Sequence, residues 1–162
     1  MKLTVQKKAW PLREPFVISR ATYTHSDVII VTLQDEQFTG RGEAAGVDYH
    51  GETPDSMVAQ LEAARGRIEA GITRAELLQV LPIGGARNAL DAALWDALAV
   101  AAELPLATLL GSAPRPIRAY NSCGLGLMSP PAAADEAERL LGAASRASSC
   151  GSAMRPWTKT LR

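Results

Sequence analysis

Alternation between apolar and polar positions opens the chain. Leu3, Val5 and Lys7 alternate against Thr4 and Gln6, the period of two expected of a strand, over Leu3–Leu12; Pro11 and Pro15 punctuate it. Asp27–Leu33 (DVIIVTL) is β-branched and apolar and predicts a buried strand. Gln34–Gln37 reads as a turn. Phe38–Ala45 returns as the second arm of a hairpin, with Gly40 and Gly42 where backbones approach closely. The opening is therefore a three-stranded antiparallel meander.

The period then changes to that of helices. Thr53-Pro54 is an N-cap followed by proline at the first helical position, and Met57, Leu61, Ala64 and Ile68 recur at helical spacing until Gly71. Thr73–Leu81 predicts a short second helix stopped by Pro82. Ala86, Ala89, Leu90, Ala93, Leu94, Ala97, Leu98 and Ala101 form one apolar stripe on a third helix, Gly85–Ala102, closed by Leu104-Pro105. Leu106–Leu110 predicts one further short turn of helix.

Pro114–Pro116 reads as a linker, Ile117–Asn121 as a short strand and Pro130–Gly142 as an alanine-rich helix. Strand then helix after a linker is the first unit of a β/α barrel. The expected class is α+β: a meander plus helical bundle over 1–113, the start of an incomplete barrel over 114–143, and a tail over 144–162 in which Ala143–Trp157 shows no helical or strand period.

Composition narrows the function classes. The 162 residues are 47% hydrophobic and 21% charged, ordinary for a soluble globular protein. Seventeen basic residues balance seventeen acidic ones, so no global charge draws the chain to nucleic acid or anionic lipid. The longest apolar runs, such as Ala97–Ala102, are too short to span a bilayer, and the N-terminus lacks the apolar core of a signal peptide. Cys123 and Cys150 are far apart and without metal-type spacing, as expected of reduced thiols in a cytoplasmic protein.

A resemblance is carried by specific segments. Arg87–Asp96 (RNALDAALWD), followed by Leu104-Pro105-Leu106 and Leu109-Leu110-Gly111, resembles the enolase superfamily in its muconate-lactonizing and mandelate racemase branch. The likeness runs from Leu3 to about Ala143, and its order of elements is that of the N-terminal capping domain. Trp10-Pro11-Leu12, Pro15–Ile18, Gly51-Glu52, Thr73–Leu77 and Leu81–Trp95 look most like the dipeptide epimerases, which interconvert L-Ala-D-Glu and L-Ala-L-Glu. Ala119–Ser122 and Gly124–Met128 look more like mandelate racemase relatives.

The resemblance implies removal of a proton α to a carboxylate. Magnesium held by three barrel carboxylates stabilises the enediolate, and lysines serve as acid and base. By the same resemblance a Lys-x-Lys pair lies on the second barrel strand and the metal carboxylates on the next three. No catalytic residue and no metal ligand is assigned to this chain, which is expected to be inactive and metal-free by itself; Mg2+ belongs to the full-length parent. Codons compatible with Ser148–Leu161, shifted back by one base, can read Lys-Leu-Arg-Leu-Gly-Tyr-Ala-Thr-Leu-Asp-Glu-Asp-Leu, which resembles that second strand. The expectation is a frameshift near Ala144–Ser148, against the alternative of a natural divergent tail. The shifted motif is Lys-x-Arg, and arginine is a poorer base.

The capping domain implies two specificity loops, Pro15–Thr24 and Gly46–Thr53. Arg20 suits a bidentate grip on the distal carboxylate of a glutamyl substrate, or a solvated surface position. Phe16 and Ile18 suit an apolar wall or an ordinary core. Tyr49 and His50 are placed as pocket-lining residues, and Ser122, past the first barrel strand, as pocket lining at most. His25 reads as a surface residue. Glu43 and Asp48 make no ligand set, Asp91 and Asp96 suit capping or packing, and Gly124-x-Gly126 is too short for a phosphate loop. The expected partner is a small carboxylate, a dipeptide or hydroxy acid, in a homo-oligomeric parent, with no nucleic acid and no membrane. Two alternatives stand beside the epimerase: a mandelate racemase-like or sugar-acid dehydratase parent, and a non-catalytic capping domain that binds or dimerises.

Overall fold

A computed structural model of the chain describes residues 1–19, 21–113, 115 and 128–150. The element order is β1 (Lys2–Ile18), β2 (Ala21–Gln34), β3 (Thr39–Ala45), a 3-10 turn at Asp48–His50, α1 (Pro54–Glu69), α2 (Arg74–Val80), α3 (Gly85–Ala101), α4 (Leu106–Leu109) and α5 (Pro130–Cys150). The strands form one sheet in the order β1-β2-β3. The chain divides into two compact units. One is Met1–Glu14 with Thr24–Ile117; the other joins Pro15–Tyr23, the tip of the first hairpin, to the C-terminal part from Arg118.

In the first unit, pleating sorts the residues of β2. Ile29, Val31 and Leu33 are fully buried on one face. The antiparallel register places them opposite Ala44, Gly42 and Gly40 of β3. Those small partners let α3 lie directly on β3. A Cβ at Gly40 would come 2.1 Å from the Ala93 carbonyl oxygen, and one at Gly42 2.0 Å from that of Ala89. The alanine stripe of α3 and the two glycines are one device for close backbone approach. Ala86, Ala89, Leu90 and Ala93 are buried there together with Met57, Leu61 and Ile68 of α1 and Leu77 of α2.

Helix ends follow local chemistry. Thr53 and Ser56 make a reciprocal capping box at the start of α1, with Pro54 at the first helical position. Thr73 and Glu76 do the same for α2. The end of α3 winds back through Glu103 N to Val100 O (3.1 Å) and Leu104 N to Ala99 O (3.0 Å), with Glu103 at φ 52 where glycine is usual.

Both margins of the sheet are held by helix side chains. On β1, Leu3 N–H donates to Glu69 Oε1 (3.1 Å) and Leu3 C=O accepts from Arg65 Nη1 (2.7 Å). On β3, Arg41 N–H donates to Asp96 Oδ2 (2.8 Å). Asp91 instead pairs with Arg74, whose guanidinium lies 4.0 Å over the Trp95 ring. The two aspartates of α3 thus serve separate structural contacts.

Four expectations need correction. The first strand does not stop near Leu12 but continues past both prolines to Ile18. An edge strand tolerates a missing N–H on its open side, and β1 is an edge. Its partner β2 begins at Ala21 rather than Asp27. The helix predicted to end at Gly142 runs on to Cys150, through a stretch without apolar period; alanine and arginine there are good helix formers, and propensity outweighs pattern. Finally, the apolar stripe of α3 drifts at its end: Leu98 and Ala101 are exposed and Ala99 is buried instead.

Candidate functional site

The first predicted loop is a β-hairpin tip. Phe16, Val17 and Ile18 on one arm and Thr22 and Tyr23 on the other are aromatic or β-branched, which favours strand over loop. Within it the Phe16 and Tyr23 rings stack with centroids 6.2 Å apart at 28°. Phe16 remains 38% exposed, while Tyr23 and Ile18 are half-buried. Arg20 and Ser122 lie outside the described residues, as do the predicted strand Ile117–Asn121 and the rest of 116–127.

The second predicted loop is a compact turn in the first unit. His50 N–H donates to Val47 O (2.9 Å), Gly51 N–H to Asp48 O (2.9 Å) and Glu52 N–H to Val47 O (3.3 Å). Gly51 sits at φ 71, a left-handed position that glycine takes without strain. The Tyr49 and His50 rings meet at 4.7 Å and 56°. Tyr49 is 74% exposed and projects to solvent. His50 lines an open depression of about 950 Å3, with Glu43, Glu52, Gln60, Ile83 and Asn88 among the other lining residues. The structure thus separates the two aromatic residues of this loop, and only His50 reaches the concave surface.

Glu52 was not expected to matter beyond the resemblance it helps to carry. Its Oε1 accepts from Gly85 N–H (2.8 Å) and its Oε2 from Val47 N–H (3.2 Å). One carboxylate therefore joins the second loop to the first turn of α3, where unpaired helix N–H groups favour negative charge. Gly85 is 33 positions away in sequence, so local pattern could not find the contact; the pair Gly84-Gly85 ahead of a helix without a side-chain cap is the signal that was present.

Charge elsewhere is mostly spent on structure. Hydrogen bonds from the Leu3 amide, then from Arg65, hold the Glu69 carboxyl below the usual carboxylate range. Arg65 does the same for Glu62, the Thr73 hydroxyl and amide for Glu76, and Arg139 for Glu136. Glu43 accepts from the Trp10 indole N–H at 3.2 Å. Among the described residues no three His, Cys, Asp or Glu side chains gather as a metal ion would need. These residues do not fit a magnesium site. Among them, too, no helix is long and apolar enough to cross a membrane.

Comparison with known proteins agrees with this architecture. Residues 1–111 match the mandelate racemase/muconate lactonizing enzyme N-terminal domain. The chain is 43% identical over 107 residues to the L-Ala-D/L-Glu epimerase of Escherichia coli K12, covering 66% of this chain and 33% of the relative. A solved enolase family member from Agrobacterium tumefaciens, with homology to dipeptide epimerases and holding sodium and L-Ala-L-Glu, superposes with a TM-score of 0.78. It is 36% identical, over 86% of this chain and 43% of that one. The dipeptide epimerase of Methylococcus capsulatus, solved with Mg and L-Arg-D-Lys, gives a TM-score of 0.68 at 27% identity, over 88% and 42%. The chain spans about a third of the length of the curated relative and about two fifths of these solved chains. With an open three-stranded antiparallel sheet, its helices and a domain match over most of its length, the chain belongs to the mandelate racemase/muconate lactonizing enzyme family of the enolase superfamily, as the N-terminal capping part.

Proposed function

We propose that the chain is the capping portion of a dipeptide epimerase that removes and returns the proton α to a carboxylate, with L-Ala-D/L-Glu as substrate. The observation that carries this reading is the agreement in fold and sequence with an enolase family member that holds L-Ala-L-Glu. The proton is weakly acidic, so the chemistry needs a divalent cation and a nearby base; magnesium supplies the charge stabilisation when bound, from barrel carboxylates. The described residues offer no such ligand group, and the 162-residue chain alone is proposed to be inactive.

In this reading the chain's own residues act on the substrate's ends and on water. Phe16 and its stacked partner Tyr23 present an apolar surface. Arg20 grips the distal carboxylate of the glutamyl residue, a role for which a planar guanidinium is suited. His50 contributes from the second loop. A cytoplasmic location is part of this proposal, in keeping with only two cysteines set far apart in sequence.

The test is α-proton exchange of L-Ala-L-Glu in D2O with magnesium, followed by NMR. The 162-residue protein is expected to give no exchange above background. A protein that continues the same capping sequence into a barrel is expected to wash deuterium into the glutamyl α position, and Arg20→Ala in it to raise KM for glutamyl dipeptides more than for L-Ala-L-Val. Turnover by the short chain overturns the assigned division of labour. Absence of exchange by the barrel-bearing protein, with turnover of a hydroxy acid instead, overturns the substrate.

A further inference from the structure

We infer that Glu52 is the positioning residue of the second loop. Its carboxylate clamps Val47–Gly51 to the first turn of α3, so that His50 is held at the depression before any ligand arrives.

The loop's three internal hydrogen bonds, from His50, Gly51 and Glu52 amides back to Val47 and Asp48, fold it upon itself but fasten it to no other element. The Glu52 carboxylate makes that connection, with one oxygen on the Val47 amide and the other on the Gly85 amide. An ionised carboxylate only accepts, and here both of its oxygens face a backbone donor. The space around it is kept by glycine. A Cβ at Gly84 would lie 2.1 Å from Glu52 Oε1, and one at Gly46 would lie 2.6 Å from the Glu52 carbonyl oxygen. Glutamine cannot replace the carboxylate, because its single oxygen serves one amide and its NH2 confronts the other donor. Aspartate is a methylene too short to span both. The side chain thus acts on the depression through the backbone of the loop rather than by touching a ligand. Its bearing on substrate choice rests on the epimerase reading; the clamp itself does not.

Residue-resolved hydrogen exchange on the 162-residue protein tests the clamp. In Glu52→Gln the Val47 and Gly85 amides, and with them His50 and Gly51, are expected to exchange about tenfold faster or more, since a hydrogen bond to a charged group is worth that factor in a local opening. The amides of Leu61 and Ile68 in α1 are expected to keep their wild-type rates. Gly84→Ala, which displaces the carboxylate without removing it, is expected to reproduce the loop effect, and serves if Glu52→Gln does not fold. Val47 and Gly51 rates within twofold of wild type in both variants overturn the inference, as does a uniform rise through α1, which reports global loosening only. In the barrel-bearing protein, Glu52→Gln is expected to raise KM for L-Ala-L-Glu several-fold with a smaller change in kcat. A fall in kcat at unchanged KM overturns the positioning role in catalysis. A wild-type protein without epimerase turnover sinks the substrate reading and leaves the exchange result to decide the clamp.

Discussion

Replacing Gly42 by alanine tests whether the sheet and α3 are joined by backbone proximity. The added Cβ would sit 2.0 Å from the Ala89 carbonyl oxygen and 2.8 Å from the Ala93 amide nitrogen. Both are helix backbone, so no side chain can swing aside. Ordinary contact begins at 3.4 Å, and the helix must retreat by roughly 1.4 Å. A gap of about 1 Å already forfeits a quarter to a half of each dispersion contact it opens, and the stripe Ala86, Ala89, Leu90 and Ala93 is buried here. Overpacking costs about 1–3 kcal/mol, and a rigid neighbour puts this site at the upper end. The gain from a stiffer unfolded chain offsets about 0.4–1 kcal/mol. The net loss is about 2 kcal/mol. With a urea slope of roughly 1.5 kcal/mol per molar, the midpoint followed by circular dichroism at 222 nm falls by a little over ~1 M. Gly66→Ala is the control: this glycine is exposed on α1 and a Cβ there meets nothing within 4 Å. Helix propensity predicts a gain of about 0.8–1.0 kcal/mol. A Gly42→Ala midpoint within ~0.3 M of wild type, or a Gly66→Ala protein that loses as much, would refute the close-approach argument.

Three further outcomes follow from contacts described above. The Glu69 carboxyl is held below its ordinary range by the Leu3 amide and Arg65, so its contribution is present above that range and lost as pH falls through the lowered value; Glu69→Gln is expected to flatten the acid limb of a stability–pH curve measured by urea melts, leaving stability differences near neutral pH as the larger ones. Thr73→Ala removes the acceptor for the Glu76 amide and breaks the capping box of α2, with an expected loss of about 1 kcal/mol in the same melts. Glu103→Gly relieves a side chain at φ 52 and is expected to stabilise by about 1 kcal/mol, read as a rise in midpoint.

The residues that announced themselves in sequence were those whose physics is local. Thr53-Pro54 and Thr73 set their helix starts within four positions, and the alanine stripe of α3 had the right period to name its buried face. Gly40 and Gly42 were readable as points of close approach because glycine inside a strand has few other uses. The first strand was ended at Leu12 where prolines punctuate it, and their tolerance depends on β1 being an edge, a property of the whole sheet. Leu98 was assigned to the core by period alone, whereas burial at the end of α3 depends on what packs there. Of the candidate site, His50 was placed at the concave surface by position in the loop, and Tyr49 beside it was not distinguishable from it. Glu52 was hidden by the 33 residues between it and Gly85.

The guarded margins of the small sheet bear on how the protein associates. A strand from another molecule seeking to lengthen the ladder beside Leu3 would have to displace both Arg65 and Glu69, and beside Arg41 it would have to displace Asp96. Each displacement strands a charged group and exchanges a charge-assisted bond for a neutral one. Amyloid-like stacking is therefore disfavoured at these two positions, and sticky encounters between copies are directed instead to apolar side chains such as Leu98, Leu104 and Leu110, which are 50%, 44% and 57% exposed. Sedimentation of a Leu98→Lys, Leu110→Lys variant should then show less self-association than wild type, while Asp96→Ala should show more.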